Sequence, residues 1–587
     1  MRLLPCLLPL LLTACATAPV APESRTNVIV VITDDQGFGD FGFQGNPVLR
    51  TPNFDAMAER SARMESFYVS PVCAPTRASL MTGRWCQRTG AIDTFIGRAM
   101  MRPDEVTVAE MLRDAGWATG IFGKWHLGDC YPMRAIDQGF DHALVHLGGG
   151  IGQPSDPEGG EGRYTDAVLF RNGERVETEG YCTDVYFDEA LSWIGEQHAE
   201  DRPFFAYVAT NAPHSPFHDV PEELLEEYRT LDLAPTSFPD LGHPLPDELQ
   251  ADKLARVFAM IENIDQNVGR LFAELERLGA LEDTLVLFLN DNGPNTRRYA
   301  RGLRGMKCEV YEGGVRSPLL AHWPGRLRAG AASDRVSAHV DVLPTILDAC
   351  GVAPPSGVEL DGRSLLPLLA GGEPDWPDRA LVVQAHRGYA PVRYHNALIR
   401  TQRWKLVNAS GFHRDVPAVE PAFELYDVLA DPYEAQDLAA SRPEVVAELR
   451  AVYERWFDDV GASDPSNYRP TPIGIGSPRA PLVTLTRQDW RREAREDGSK
   501  PPAGHWVVDV ERAGAYDVRV RLLDGVDAER ITLRFAGGEW SGAPSMGARE
   551  YTFLGVPLPA ASGPLEVLVD SHGEQQGAYQ VELLPAP

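Results

Sequence analysis

Four continuous apolar runs set the pattern of this chain: Asn27–Thr33 (NVIVVIT), Ala118–Phe122, Phe204–Ala209 and Leu285–Leu289. None alternates with polar residues, which is the pattern of strands buried on both faces. Between them the period changes to that of a helix. Val106–Ala115 stops at Gly116. Phe258–Leu278 aligns Ile261, Ile264, Val268, Leu271, Leu275 and Leu278 on one face and stops at Gly279. Strand–helix alternation predicts an open α/β fold, a largely parallel central sheet sandwiched by helices. Ligands in such folds bind beyond the carboxyl ends of the strands. All four runs end in polar residues at that edge: Asp34-Asp35-Gln36-Gly37, Gly123-Lys124-Trp125-His126, Asn211-Ala212-Pro213-His214 and Asp291-Asn292-Gly293. One such end is an ordinary turn; four together predict an active site.

The pattern also divides the chain. Residues 27–375 carry the α/β signal, with Val315–Pro324 and His339–Ile346 completing it. From Leu381 the runs shorten, Asn396–Val407 and Phe423–Asp427 being the clearest, and a helix is predicted over Pro443–Phe457. This is a small antiparallel C-terminal subdomain, 376–462. Residues 463–485, rich in Pro, Gly and Ser, read as a linker. Residues 486–587 alternate in short strands and predict an accessory β-sandwich. Its Trp506, Trp540 and Tyr551 are candidates for carbohydrate contact or for core, and alternating aromatics are more often core.

The first 26 residues read as an address. Leu3–Leu12 is too short to span a bilayer and suits a secretory signal. It runs into Leu12-Thr13-Ala14-Cys15, which resembles a bacterial lipoprotein cleavage box with Cys15 as the lipidated residue and 16–26 as a tether. The expected location is the periplasm or outer membrane, with a lipid anchor the chain's only membrane contact. Export permits disulfides, so that Cys86, Cys130, Cys182, Cys308 and Cys350 can form one or two pairs with one left over, and the sequence does not give the pairing. No CxxC spacing points to a metal thiolate site.

Charge narrows the partners. The 587 residues carry 84 Asp plus Glu against 55 Lys plus Arg, a net charge of −29. That excludes nucleic-acid binding through a broad basic surface. Five of the 55 basic residues are lysines, and two of them, Lys124 and Lys307, fall in Gly-rich motif-like stretches. A chain that uses arginine by default places a lysine where a compact point charge is needed. Lys253, Lys405 and Lys500 read as surface residues. If the chain is extended there, Lys124 and His126 share a face.

Asp34, Asp35, Asp291 and Asn292 offer hard oxygen ligands from two strand ends. Three converging carboxylates need a cation, calcium or magnesium by ligand type. Cys73-Ala74-Pro75-Thr76-Arg77 places a cysteine just ahead of a helix N-terminus that favours an anion, with Arg77 on the same side. The bland alternative for a lone cysteine is a buried core residue.

Together these segments resemble the type I, formylglycine-dependent sulfatases of the alkaline-phosphatase-like superfamily, over about Asn27 to Gly461. The signature Cys73-x-Pro75-Thr76-Arg77-x-x-x-x-Thr82-Gly83 is joined in order by Asp34-Asp35-Gln36-Gly37, Gly123–Gly128, Pro213-His214-Ser215-Pro216, Asn290-Asp291-Asn292-Gly293 and Arg304-Gly305-x-Lys307. The resemblance implies a mixed, alkaline-phosphatase-like sheet and a sulfuric ester hydrolase acting on a sulfated glycan. It implies that a maturation enzyme oxidises Cys73 to Cα-formylglycine, whose hydrate is the nucleophile. Asp34, Asp35, Asp291 and Asn292 then bind calcium (magnesium is the second choice) with residue 73 beside it. Arg77 and Lys124 hold the hydrate and sulfate oxygens, with His126 beside the diol. His214 and Lys307 grip the sulfate and bridging oxygen, His214 as the acid. A further sulfate contact is sought in Gly148–Gly152, and the Gln384–Gly388 loop is weighed as substrate-facing or as plain surface. Asn408-Ala409-Ser410 is an incidental glycosylation triplet. The rival readings are a formylglycine-dependent phosphonate or phosphodiester hydrolase, and a catalytically dead glycan-binding homologue.

Overall fold

The computed structural model describes residues 26–372, 376–412, 420–462, 465–493, 501 and 503–587. The signal-like segment and Cys15 lie outside the described residues.

The four apolar runs are neighbours in one sheet. Its strands are β1 (Asn27–Thr33), β2 (Ala62–Tyr68), β3 (Ala118–Lys124), β4 (His142–His146), β5 (Val168–Arg171), β6 (Glu174–Glu177), β7 (Phe204–Ala209), β8 (Thr284–Asn290), β9 (Arg316–His322), β10 (Ala332–Ser333) and β11 (Ser337–Ala338). The order is β10-β2-β9-β8-β1-β7-β3-β4-β5-β6, with β11 beside β2. The centre, β8-β1-β7-β3-β4, is parallel. Antiparallel strands flank it on both sides. In register, Val31 lies opposite Val208 on one side and Phe288 on the other.

Four helices matter for the site: α1 (Cys73–Thr82), α2 (Val108–Asp114), α3 (Cys182–Ala199) and α4 (Ala251–Leu278). Helices on both faces explain the absence of alternation in β1. Ile29 and Val31 pack toward Phe258, Ile261 and Ile264 of α4. Val28, Val30 and Ile32 pack toward Ala74, Ala78 and Met81 of α1. Helix α2 begins later than its periodicity predicts, because Thr107 and Glu110 form a capping box. Helix α4 begins at Ala251, about two turns before the predicted Phe258. It ends where Gly279 takes φ 69°, a left-handed C-cap that glycine adopts without cost.

The C-terminal subdomain is an antiparallel sheet of β12 (Leu381–Gln384), β13 (Ala397–Arg400), β14 (Trp404–Asn408) and β15 (Glu424–Asp427), packed against α5 (Pro443–Phe457). Lys405 is not a surface residue. It faces inward from β14, is fully buried, and pairs with Glu312 at 3.0 Å and Glu434 at 2.8 Å. Asn408 is also buried, its amide donating to the Tyr394 carbonyl.

The accessory region is two sheets, and it starts earlier than the sequence pattern indicates. Strands β16 (Ile473–Ile475) and β17 (Val483–Thr486) fall within the stretch read as linker. They join β18 (His505–Val510), β19 (Gly514–Arg521), β20 (Arg530–Phe535), β21 (Gly538–Gly542), β22 (Glu550–Leu558), β23 (Ser562–Ser571), β24 (Glu574–Gly577) and β25 (Gln580–Pro585). Trp506 is fully buried and donates its indole N–H to the Thr486 carbonyl, so it is core. The sandwich core also takes in Met100, Cys130 and Met133 from the catalytic region.

The disulfides that export permits are not formed: Cys86, Cys130, Cys182, Cys308 and Cys350 are free thiols, as is Cys73. Cys130 and Cys182 belong to two separate hydrophobic cores, and Cys350 packs against a third. Among the described residues no helix is long and apolar enough to cross a membrane.

Candidate active site

Six chain segments converge at the carboxyl ends of the parallel strands. β1 delivers Asp34 and Asp35, β8 delivers Asp291 and Asn292, β3 ends in Lys124, and His214 follows β7. Helix α1 supplies Cys73 and Arg77, and Lys307 lies between β8 and β9. Cys73 is the first residue of α1 rather than its cap; Val72 is the extended N-cap. Asp35 turns the chain at φ 64°, a conformation aspartate tolerates better than most residues.

Each carboxylate faces a fixed cation. Lys124 Nζ is 2.5 Å from Asp34, Lys307 Nζ is 2.5 Å from Asp35, and Arg77 Nη2 is 2.9 Å from Asp291. Arg77 Nη1 also donates to the Lys124 carbonyl at 2.7 Å. Asn292 donates to Asp35 at 2.8 Å. Cys73 Sγ lies within 4.8 Å of carboxylate oxygens of Asp34 and Asp291; Asp34, Asp35 and His214 form an equally tight group.

The three pairs balance in number, but burial weighs on them unequally. Burial pushes Asp34 up despite Lys124. Burial, reinforced by Asp34, pushes Asp291 up to about 6 despite Arg77. Asp35, against the same burial, is held well below the usual carboxylate range by Lys307 and His214. Asp34 Oδ1, Asp35 Oδ2 and Asn292 Oδ1 are buried acceptors with no hydrogen-bond partner. Orphaned oxygens in a dry site are costly, and a divalent cation satisfies all three. The donor set therefore fits a hard metal ion.

Both histidines are neutral in this setting. Burial, then Lys124, lowers His126 well below its usual value. Burial lowers His214 to about 4, with Lys307 and Lys124 acting in the same sense and Asp35 against them. His214 Nδ1–H donates to the Ser215 carbonyl at 2.6 Å, which leaves Nε2 toward Asp35 at 3.7 Å. His126 is not extended: it sits at φ 60°, so a shared strand face does not place it beside Lys124. Its Nε2 meets the Thr94 carbonyl at 2.8 Å, and Nδ1 is buried without a partner. The Cys73 thiol is pushed up by burial, against Lys124 and Lys307. Unmodified, it stays protonated and is a weak nucleophile.

The Gly148–Gly152 stretch lies where a further contact was sought. A Cβ on Gly149 would sit 2.8 Å from His126, and one on Gly150 2.8 Å from His214. The Gln153 amide packs against both glycines, a residue sequence reasoning missed. So is Arg298, fully buried, which pairs with Asp40 and donates to the Asp35 carbonyl at 2.9 Å. The Gln384–Gly388 loop reaches this neighbourhood through Arg387, which pairs with Asp93 at 2.9 Å and donates to Thr94 Oγ1 at 3.0 Å. Beside Lys307 opens a cleft of about 770 Å³, lined by His243, Pro294, Arg297, Tyr299, Met306 and Tyr311 among others.

The sulfatase family profile matches residues 26–352. This chain belongs to the sulfatase family. A second profile, the C-terminal region of N-sulphoglucosamine sulphohydrolase, matches residues 306–455 of this sulfatase. The N-acetylgalactosamine-6-sulfatase of Canis lupus familiaris is 32% identical over 393 residues, covering 62% of this chain and 70% of that protein. Arylsulfatase A of Homo sapiens is 32% identical over 489 residues, covering 74% and 88%. The solved structure of Ps i-CgsB with k-i-k-neocarrahexaose superposes with a TM-score of 0.61 at 26% identity, covering 74% and 92%. The protein is thus a sulfuric ester hydrolase with the mixed α/β fold of its relatives.

Proposed function

We propose that this sulfatase removes sulfate esters from a sulfated carbohydrate, with Cα-formylglycine made from Cys73 and calcium held by Asp34, Asp35, Asp291 and Asn292. The observation that carries this is the site itself. Asp34 and Asp291 lie beside the thiol of a complete sulfatase signature, Asp35 lies beside Asp34 and His214, and each of the three carboxylates is buried against a fixed cation. Relatives named for a sugar sulfate and for a bound carrageenan-type hexasaccharide support the carbohydrate. The loops 235–246 and 294–306 line a cleft large enough for sugar units. The Leu12–Cys15 box supports an exported lipoprotein.

Formylglycine, when present, supplies a hydrated aldehyde that attacks sulfur and releases sulfate by reforming the carbonyl, an exit that serine or a thiol lacks. Calcium, when bound, supplies Lewis-acid stabilisation of sulfate oxygens. The chain's own residues do the rest. Lys124 and Arg77, held by Asp34 and Asp291, present fixed positive charge to the anion. Lys307, held by Asp35, does the same. Such preorganised charge is often the largest share of catalysis. His214 Nε2 is the candidate acid for the leaving oxygen, a role worth about 10²–10⁴-fold. Burial lowers its pKa, and a nearby negative charge such as a sulfate ester acts in the opposite sense.

Parallel assays of matured protein on an aryl sulfate and an aryl phosphodiester test the reading. Turnover of the sulfate ester with the diester slower is expected. Inert sulfate with active diester would overturn it in favour of the phosphonate or diester hydrolase. An unconverted Cys73 peptide by mass spectrometry, in protein from the native host, would favour the dead homologue. Chelation should abolish activity and lower the melting temperature, and calcium should restore both better than magnesium. Full activity in a metal-free sample would remove the metal from the proposal.

A further inference from the structure

The β-sandwich does more than hang from the catalytic region. Gln488 follows β17 at its base and is 3% exposed. Its amide Nε2 donates to the Thr94 carbonyl at 2.7 Å, the same oxygen that meets His126 Nε2 at 2.8 Å. The two nitrogens are 3.4 Å apart. Two donors then saturate one carbonyl oxygen. The segment carrying Thr94 is held from three sides. Gly97 N–H donates to the Gln488 carbonyl at 3.2 Å, Arg387 pairs with Asp93, and Arg387 also stacks on the Phe95 ring at 4.4 Å. With Nε2–H of His126 donating to Thr94, its unpartnered Nδ1 is left as the bare nitrogen. The tautomer of a histidine is set by the bond its other nitrogen makes.

We propose that Gln488 is a positioning residue: the accessory sandwich reaches into the site and, by fixing the Thr94 carbonyl, holds His126 in one orientation and one tautomer. The accessory β-sandwich is on this account part of the catalytic unit. A separate glycan-binding module would leave His126 untouched. Outer partners of this kind change activity by about 10–100-fold when removed.

The test uses the full-length, matured protein carrying Gln488→Met, which keeps the volume and loses the donor, and Gln488→Glu, which keeps the shape and reverses it. Arg519→Ala is the control; it breaks an exposed contact between sandwich and catalytic region, Arg519 to Glu158 at 3.3 Å. Gln488→Met should lose about tenfold in kcat with KM and melting temperature near wild type, Gln488→Glu should lose at least as much in kcat with a lower melting temperature from its buried carboxylate, and Arg519→Ala should change none of them. Unchanged kcat in the Gln488 variants, or an equal loss in Arg519→Ala, would overturn the proposal. So would a loss in Gln488→Met tracked by a fall in melting temperature. The kinetic readout rests on the sulfatase reading. A second does not: histidine-selective ¹³C/¹⁵N NMR, with the His126 signal assigned by its loss in His126→Asn. Wild type should show the Nε2–H tautomer, and Gln488→Met a mixture or a shifted signal. An identical His126 signal in both would overturn the positioning role even in a protein with no sulfatase turnover.

Discussion

Cys73→Ala is expected to lose about 10⁴–10⁶-fold in kcat toward a sulfate ester, with the melting temperature within a degree or two of wild type. The size follows from removing a nucleophile whose partners act only with it, where single losses cost nearly the whole of the chemical step. The small stability change follows from the setting. Cys73 is the first residue of α1, where Val72 provides the extended cap, and alanine removes only the sulfur of the unmodified residue or the oxygen of the matured one. Its burial contributes little packing, and its pKa is already forced up by desolvation. Cys73→Ser is the sharper comparison. Serine keeps a hydroxyl in place but lacks the second oxygen through which sulfate leaves, so a single-turnover burst without steady turnover is expected. Steady turnover by Cys73→Ala near the wild-type rate would remove Cys73 from the chemistry and with it the formylglycine proposal.

Gly150→Ala is expected to lower kcat about 10²-fold, and Gly149→Ala to do the same, with little change in melting temperature. Neither glycine needs a left-handed backbone, so the effect is purely spatial. The added methyl meets His214 Cε1 at 2.8 Å and Nδ1 at 2.9 Å in one case, and His126 at 2.8 Å in the other. Contacts under 3.0 Å force a ring to move, and a displacement of about 1 Å at a reacting group can cost 10²-fold. Gly195→Ala is the control. It lies in α3 with open space around its Cβ, and should be neutral or stabilising by about 1 kcal/mol. Normal kcat in both Gly149→Ala and Gly150→Ala would mean that these two histidines tolerate displacement, and the roles assigned to them would fall.

Much of the site is legible because its residues sit directly after apolar strands. Burial on both faces makes such a strand unmistakable, and its carboxyl end fixes where the next residues go. Asp34, Asp291, Lys124 and His214 were read this way. Lys405 was misread for the complementary reason. Its strand looks half exposed, and its partners Glu312 and Glu434 lie far off in sequence. A shared strand face for Lys124 and His126 requires extended backbone, and the φ of 60° at His126 breaks that geometry one residue after Trp125. The cysteines carry no signal of pairing beyond their export context, and Cys130, Cys182 and Cys350 are kept apart by lying in or against three separate cores.

By itself the sequence determined the α/β order, the family signature and the chemical class of ligand. Those depend on residue type and short spacing, which local chemistry reads directly. Only the tertiary structure decided that every carboxylate has its own cation, that three acceptor oxygens stand unpaired together, that Gly149 and Gly150 seat the two histidines, and that Gln488 arrives beside His126 from a strand 362 residues later. Contacts of that kind arise when distant elements pack, and neither period nor composition records which of them will meet.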